Sequence, residues 1–248
     1  MKTEVQQWKV FYRIGGIAAF LALLTMLMEI FLTAMPDGAR EVHTITELFD
    51  MYDRNWFMAM RYMGLINIIA SCFLIPVYYA TFGLHREKLP VISGFALLLM
   101  IISYAIFFAD NTSFAFLDMA RKYADANESD KILLIAAGEA LFAKGASHTP
   151  GTFPGFFIGQ IGGILFSIIM LKARVLKRYV GIIGVFGFSF LLIFEIISSF
   201  IRSFYDEAMI FAMIGGISTL VWFALLGSGL LKHSKKHSGI DQTKEAKE

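Results

Sequence analysis

The sequence predicts an all-α membrane protein, a polytopic bundle of six transmembrane helices with shorter helices capping its outer side. Hydrophobic residues make up 57% of the chain and the mean hydropathy is +0.63, both well above the values of soluble domains. The apolar residues are gathered in blocks of about 20, the length that a helix needs to cross about 30 Å of hydrocarbon. An outer-membrane barrel would instead alternate apolar and polar residues in segments of about 10.

The apolar blocks define six predicted spans within a single domain, residues 1–231. The spans cover residues 14–34, 57–82, 91–109, 156–171, 179–200 and 208–231. Residues 232–248 are polar and basic, which predicts a disordered cytoplasmic tail.

Two polar segments outside the spans are expected to form short helices. In the loop of residues 35–55, Thr44 and Glu47 match a capping box, and apolar residues then recur at helical spacing. Residues 110–152 predict two helices that form an outer cap. The second runs from Asp130 to Lys144, with Ser129 as its N-cap, and its apolar run of about 13 residues is too short to span.

The distribution of Lys and Arg predicts that both termini are cytoplasmic. Residues 1–13, 83–90, 172–178 and 232–248 hold 14 of the 22 Lys and Arg residues and five of the 20 acidic residues. Because short cytoplasmic loops are enriched in Lys and Arg, these segments are placed inside, in a multi-pass protein of the cell (plasma) membrane. Topology accounts for the basic residues and the net charge is only +2, so the expected partners are membrane lipids rather than nucleic acid.

Charged residues inside the predicted spans mark a candidate ligand-binding site. Arg61 lies near the start of the second span, where an unpartnered charge would cost at least a few kcal/mol. At about 1.5 Å per residue, Glu29 and Glu195 lie at a similar depth on the first and fifth spans. The polar groups expected to share the outer half of the bundle are Glu29, Arg61, Asn67, Asp110, Gln160, Glu195 and Arg202.

Two interpretations of these charges remain open. In the first, a polar pocket opens outward, with Arg61 anchoring an anion and the two glutamates acting as its partners or as proton carriers. In the second, Arg61 pairs with one glutamate and only fixes the packing of the helices, or extends to the outer interface.

Several kinds of chemistry find no support in the sequence. The five histidines are divided between the two predicted sides of the membrane, so no histidine-ligated metal and no haem are expected. His148, on an outer loop, is expected to be solvated. The sequence contains no HExxH, GxSxG or phosphate-binding loop, and no cofactor is predicted. Cys72 is the only cysteine, and Gly155 and Gly159 form a GxxxG pair that favours close helix contact.

Three stretches carry a family resemblance: LTMLMEIF with Glu29, WFMAMRYMGL with Arg61, and the hairpin FSIIMLKARVLKRYVGIIGVFGF. With them, most of the chain resembles a bacterial family of multi-spanning membrane proteins catalogued as a domain of unknown function (DUF four-three-eight-six). The resemblance implies about six helices and a plasma-membrane location. It implies no activity.

Three functions follow, in order of support. The first is binding or transport of a small solute or lipid through an outer-facing polar pocket, without catalysis. The second is a structural or accessory membrane subunit that has no ligand. The third is an acid–base enzyme that uses Glu29, Glu195 or Asp110, and it has the least support because no nucleophile, metal site or cofactor motif accompanies these carboxylates.

Overall fold

The computed structural model describes the backbone of residues 2–35 and 42–245. It is 88% helical, and the described residues contain no β-strand. The helices are α1 (Lys2–Thr33), α2 (Ile45–Tyr62), α3 (Leu65–His85), α4 (Pro90–Asp110), α5 (Ser113–Asp125), α6 (Glu128–Gly145), α7 (Phe153–Ala173), α8 (Arg178–Phe200) and α9 (Tyr205–Glu245). A 3-10 turn, Arg202–Phe204, precedes α9.

Six helical stretches are long and apolar enough to cross a membrane, which confirms the predicted multi-pass architecture. They are Glu4–Thr33, Ile45–His85, Pro90–Asp125, Phe153–Ala173, Arg178–Phe200 and Tyr205–Lys235.

Six of the helices form a closed ring. Going around the ring, α1 packs on α3, α3 on α4, α4 on α7, α7 on α8, α8 on α9, and α9 again on α1. The ring encloses one apolar core in which Tyr78, Phe166 and Trp222 are almost completely buried. The rings of Tyr78 and Phe166 stack with their centroids 5.6 Å apart. Side chains from helices distant in sequence therefore meet at the axis of the ring.

The other three helices, α2, α5 and α6, pack together as a separate layer. This three-helix layer has its own apolar core, which includes Leu48, Phe49 and Phe116. The Tyr52 hydroxyl donates a hydrogen bond to the Ser113 carbonyl oxygen at 2.8 Å, which ties α2 to the start of α5. Burial of this apolar surface explains why these short amphipathic segments are helical.

The two predicted N-caps of the layer differ in detail from the structure. At the start of α2, Thr44 Oγ1 accepts from the Glu47 amide, as predicted. Glu47 Oε2 however accepts from the His43 amide at 2.8 Å. Helix α6 begins at Glu128, and its N-cap is Asn127 rather than the predicted Ser129. Asn127 Oδ1 accepts from the Asp130 amide at 3.0 Å, whereas the Ser129 hydroxyl donates back to Asn127.

The predicted second span, 57–82, is not one continuous helix. Helix α2 ends at Tyr62 and α3 begins at Leu65, with Gly64 in the left-handed region at φ +91°. A side chain there would be strained, which is the reason for glycine. The Met63 carbonyl, left without a helical partner, accepts from Asn111 Nδ2 at 3.0 Å. The break is thus fixed by a residue that follows α4.

Helix α2 contains a second break, at Asn55, whose backbone is extended (φ −154°, ψ 85°). Asn55 Oδ1 accepts from the Met58 amide at 3.2 Å and so acts as an N-cap inside the helix. Arg61 therefore lies on a short helical segment between two breaks, and its position relative to α1 depends on both.

The glycine pair on α7 has the predicted role. Gly155 and Gly159 face α4, where a Cβ on Gly159 would come within 2.6 Å of Ser103 Oγ. Ser103 Oγ donates to the Gly155 carbonyl oxygen at 2.8 Å. The absence of side chains lets α4 and α7 approach closely enough for this hydrogen bond between helices.

Three predicted boundaries change. Helix α1 begins at Lys2 rather than near residue 14, because the preceding polar residues contain no Gly or Pro to stop it. Helix α7 begins at Phe153, with Pro154 in its first turn. The tail predicted as disordered continues α9 to Glu245, and the Lys, Gln and Glu residues within this stretch favour helix. Residues 246–248 lie outside the described part.

Candidate functional site

Arg61 and Glu29 form the ion pair that the second interpretation of the charges anticipates. Arg61 Nη1 donates to Glu29 Oε1 at 2.6 Å and to Thr33 Oγ1 at 2.9 Å. The Arg61 side chain is 5% exposed and that of Glu29 is 28% exposed. The guanidinium of α2 is thereby held against the last two turns of α1, and its charge is neutralised there.

A cavity of about 190 Å³ lies inside the ring, away from this ion pair. Every ring helix contributes to its wall, from Met26 on α1 to Phe223 on α9. Neither Arg61, Glu29 nor Glu195 is among the lining residues. The cavity that the sequence expects to be charged is consequently lined by neutral side chains.

The wall of the cavity is mostly aromatic and aliphatic, with a few polar groups. Its aromatic members are Tyr78, Tyr104, Phe107, Phe156, Phe188 and Phe223. Its uncharged polar members include Asn67, Ser71, Ser103, Gln160 and Thr219. Small-molecule sites commonly combine apolar walls with a few polar groups that orient the ligand.

Gln160 supplies the clearest unsatisfied group in this wall. Its Oε1 atom is buried, and no hydrogen-bond donor lies within reach among the described residues. A buried carbonyl oxygen without a partner costs about 1–3 kcal/mol. Gln160 and Asn67, both predicted as site residues, thus line one cavity, and the Gln160 side chain carries an unpartnered oxygen.

Glu195 has a different partner from the one expected. It is 1% exposed in α8, and its Oε2 lies 2.8 Å from His148 Nδ1. Its Oε1 accepts a hydrogen bond from Ser199 Oγ at 3.3 Å. Glu29 and Glu195, which were expected to share one site with Arg61, therefore belong to two separate polar pairs.

His148 makes contacts that the sequence did not indicate. It was expected to be solvated; its side chain is 33% exposed, and its ring lies against Phe156 and Phe194, with centroids 5.0 and 4.7 Å away. The loop carries His148 at φ +58°, an uncommon conformation for any residue but glycine. A histidine in a polar loop gives no periodic signal, so the sequence held no indication of this contact.

Asp110, another predicted site residue, is not among the residues that line the cavity. Asp110, at the end of α4, has its Oδ1 3.8 Å from Lys144 Nζ, and Lys144 also donates to the Ala109 carbonyl oxygen at 3.0 Å. This contact joins α6 to the ring. The side chain of Arg202 is outside the described part of the structure.

Among the described residues, no group of three or more His, Cys, Asp or Glu side chains is placed to hold a metal ion. The described residues thus form a neutral cavity and two polar pairs, and no member of either pair lines the cavity.

Comparison with known proteins yields no match: no family model fits the chain, and no curated protein and no solved structure is similar to it.

Proposed function

We propose that this membrane protein binds a small, uncharged molecule in the cavity of its six-helix ring, as a carrier or receptor without catalysis. The supporting observation is the buried, unpartnered Oε1 of Gln160 in an otherwise mostly apolar wall. A ligand that donates one hydrogen bond to this oxygen would remove an unfavourable contact and bury its own apolar surface.

The size of the cavity limits the ligand. A dry engineered cavity of about 150 Å³ binds benzene, and drug-sized ligands occupy about 300–1,000 Å³. At about 190 Å³, this cavity suits a molecule near the size of a substituted benzene ring. Phenols, short alcohols and small amides fit in size and carry the required donor, and a whole lipid does not fit.

The charge of the wall limits the ligand further. An anion anchored by Arg61, the original expectation, would have to displace the ion pair with Glu29, and Arg61 does not line the cavity. We further propose that the cavity faces outward. Its lining residues on α1 and α4 lie in the second halves of these helices, and those on α3 and α7 lie mostly in the first halves, which is the end of the ring nearer the three-helix layer.

The same end of the ring would face outward if both termini are cytoplasmic. At the opposite end, Lys88 Nζ donates to the Ala173 carbonyl oxygen and Arg86 pairs with Glu4, so the basic loops of the chain cluster together. This clustering supports the proposed threading in the plasma membrane. Reporter fusions after residues 112 and 235 test it: a periplasmic-type reporter should be active only at the first position.

The binding experiment uses the full chain in lipid nanodiscs and measures melting temperature against neutral phenols, alcohols and amides. A ligand that binds only the folded state increases the free energy of unfolding, by about 2.7 kcal/mol at a ligand concentration 100 times its Kd. The melting temperature rises as a result. Ser71→Leu, which fills part of the cavity, should abolish the rise. Cys72→Leu, at the neighbouring exposed position on α3, is the matched control and should preserve it.

A structural or accessory subunit is the second candidate function. The observation in its favour is the Arg61–Glu29 ion pair. Because these two charges neutralise each other, they need no ligand. If no compound on the panel changes the melting temperature, or if Ser71→Leu and Cys72→Leu respond alike, the accessory function replaces the binding function.

A further inference from the structure

Glu195 is a carboxyl group placed where a negative charge is costly. It lies in α8 five residues before Phe200, about 7.5 Å along the helix axis from its end. It is 1% exposed, and the surrounding positions Phe194, Ile196 and Phe200 are apolar. An isolated charge in such surroundings costs several kcal/mol or more, so an ionised Glu195 needs a positive partner.

His148 is the one described residue in position to supply that charge. Its Nδ1 lies 2.8 Å from Glu195 Oε2, and the other contact, from Ser199 Oγ, is neutral. No Lys or Arg among the described side chains forms an ion pair with Glu195. Among the described side chains, His148 is therefore the group that can neutralise this carboxylate.

Among the described side chains, the surrounding elements offer no other compensating charge. Helix α7 carries no charged residue between Phe153 and Leu171, and α8 carries none between Arg178 and Glu195. At the start of α9, Asp206 and Glu207 are exposed and negative. At the end of α4, Asp110 is close to Lys144, the nearby cation of α6. The 3-10 turn carries Arg202, whose side chain is not described.

The loop that bears His148 is held firmly in place. The Thr149 hydroxyl donates to the Ala146 carbonyl oxygen at 2.7 Å, and the Thr152 hydroxyl contacts the same oxygen at 3.1 Å. These bonds accompany the left-handed backbone of His148 and direct its ring onto Glu195, between Phe156 and Phe194. A residue kept in an uncommon conformation by its surroundings is a frequent mark of a functional contact.

We propose that Glu195 and His148 form a proton-binding site that holds one proton in the folded protein. With one proton the pair has no net charge, whether the proton sits on the carboxyl group or completes an imidazolium beside a carboxylate. With none, the buried carboxylate of Glu195 carries a negative charge, and with two the pair carries one net positive charge.

The proton site does not depend on the proposed cavity ligand. It shares one wall with the cavity through Phe156, whose ring contacts His148 and which also lines the cavity. A proton on the Glu195–His148 pair can be detected whether or not the cavity binds a ligand.

The test places the full chain in nanodiscs and records two signals at neutral pH. Infrared spectra report a protonated buried carboxyl group, and nitrogen NMR of labelled histidine reports an imidazolium. One of the two signals is expected, equal to one proton per chain. Glu195→Gln should remove it, and Glu207→Gln, at an exposed carboxylate, should leave it unchanged.

His148→Gln distinguishes the pair from a lone group. Without the histidine, the carboxyl group must hold the proton itself, so the infrared signal of a protonated carboxyl group is expected in this variant at neutral pH. An ionised carboxylate together with a neutral imidazole in the wild-type protein at neutral pH overturns the proposal. This decisive measurement is made on the wild-type chain, so it does not depend on whether the variants fold.

Discussion

Arg61 and Glu29 lie 32 positions apart in the sequence and form an ion pair with 2.6 Å between Nη1 and Oε1. The pair connects the short segment after Asn55 to the end of α1. Removal of one member leaves a largely buried charge without its counterion, which typically costs about 3–5 kcal/mol.

The first prediction concerns this pair. Arg61→Met should lower the melting temperature strongly, and the double variant Arg61→Met, Glu29→Met should recover most of the loss, because neither charge then remains. Lys122→Met serves as a control, since its pair with Asp118 on α5 is exposed and should matter little. Equal melting temperatures for the single and double variants would contradict a coupled pair.

The second prediction concerns the break before α3. Gly64→Ala should destabilise the protein by about 1–2 kcal/mol, because the residue is left-handed and a Cβ would approach Asn111 Nδ2 to 3.1 Å. Gly216→Ala is the matched control: no atom lies within 4 Å of its added Cβ, and it lies inside α9. This control should be neutral or stabilising by up to about 1 kcal/mol. The melting temperatures of the two variants are compared with that of the wild type. An unchanged melting temperature for Gly64→Ala would show that the break does not require a left-handed glycine.

The third prediction concerns the internal cap of α2. Asn55→Ala removes the acceptor for the Met58 amide and should cost about 1 kcal/mol. Asn55→Asp keeps an acceptor and should retain most of the stability. If alanine and aspartate behave alike in thermal unfolding, the Asn55 side chain does not act as a cap.

The fourth prediction separates stability from binding at Gln160. Gln160→Leu replaces a buried unpartnered oxygen by an apolar group of similar size, so the ligand-free protein should be as stable as the wild type or more stable. The same change should abolish the rise in melting temperature caused by donor-bearing ligands. A less stable Gln160→Leu protein would mean that the amide has a favourable contact in the folded state.

Much of the fold could be predicted because membrane spans are encoded locally. Blocks of about 20 apolar residues are sufficient to indicate six spans, and the structure has six stretches of this kind. The break at Gly64 was missed because a hydropathy pattern averages over a whole turn, whereas the break depends on one dihedral angle and on Asn111, 47 residues further along the chain.

The site was harder to predict because it depends on which helices are neighbours. A similar predicted depth correctly suggested that Arg61 and Glu29 could meet. Depth does not, however, specify where each helix lies around the ring. Glu195 lies on a different part of the ring and meets His148 of a loop. Asn67 and Gln160 were assigned to a charged pocket, and they line a neutral cavity.

The contact between α1 and α9 has a consequence for biosynthesis. A chain inserted into the membrane from its N-terminus exposes one flank of its first helix until the last helix arrives. Gly16 on α1 and Gly227 on α9 approach so closely that an added Cβ on Gly16 would lie 3.0 Å from the Gly227 carbonyl oxygen, so this seam closes only when both helices are present. The cavity needs walls from both helices and therefore becomes complete only after α9 has been inserted. Nascent chains that end before α9 should accordingly be recognised by membrane quality control as unfinished.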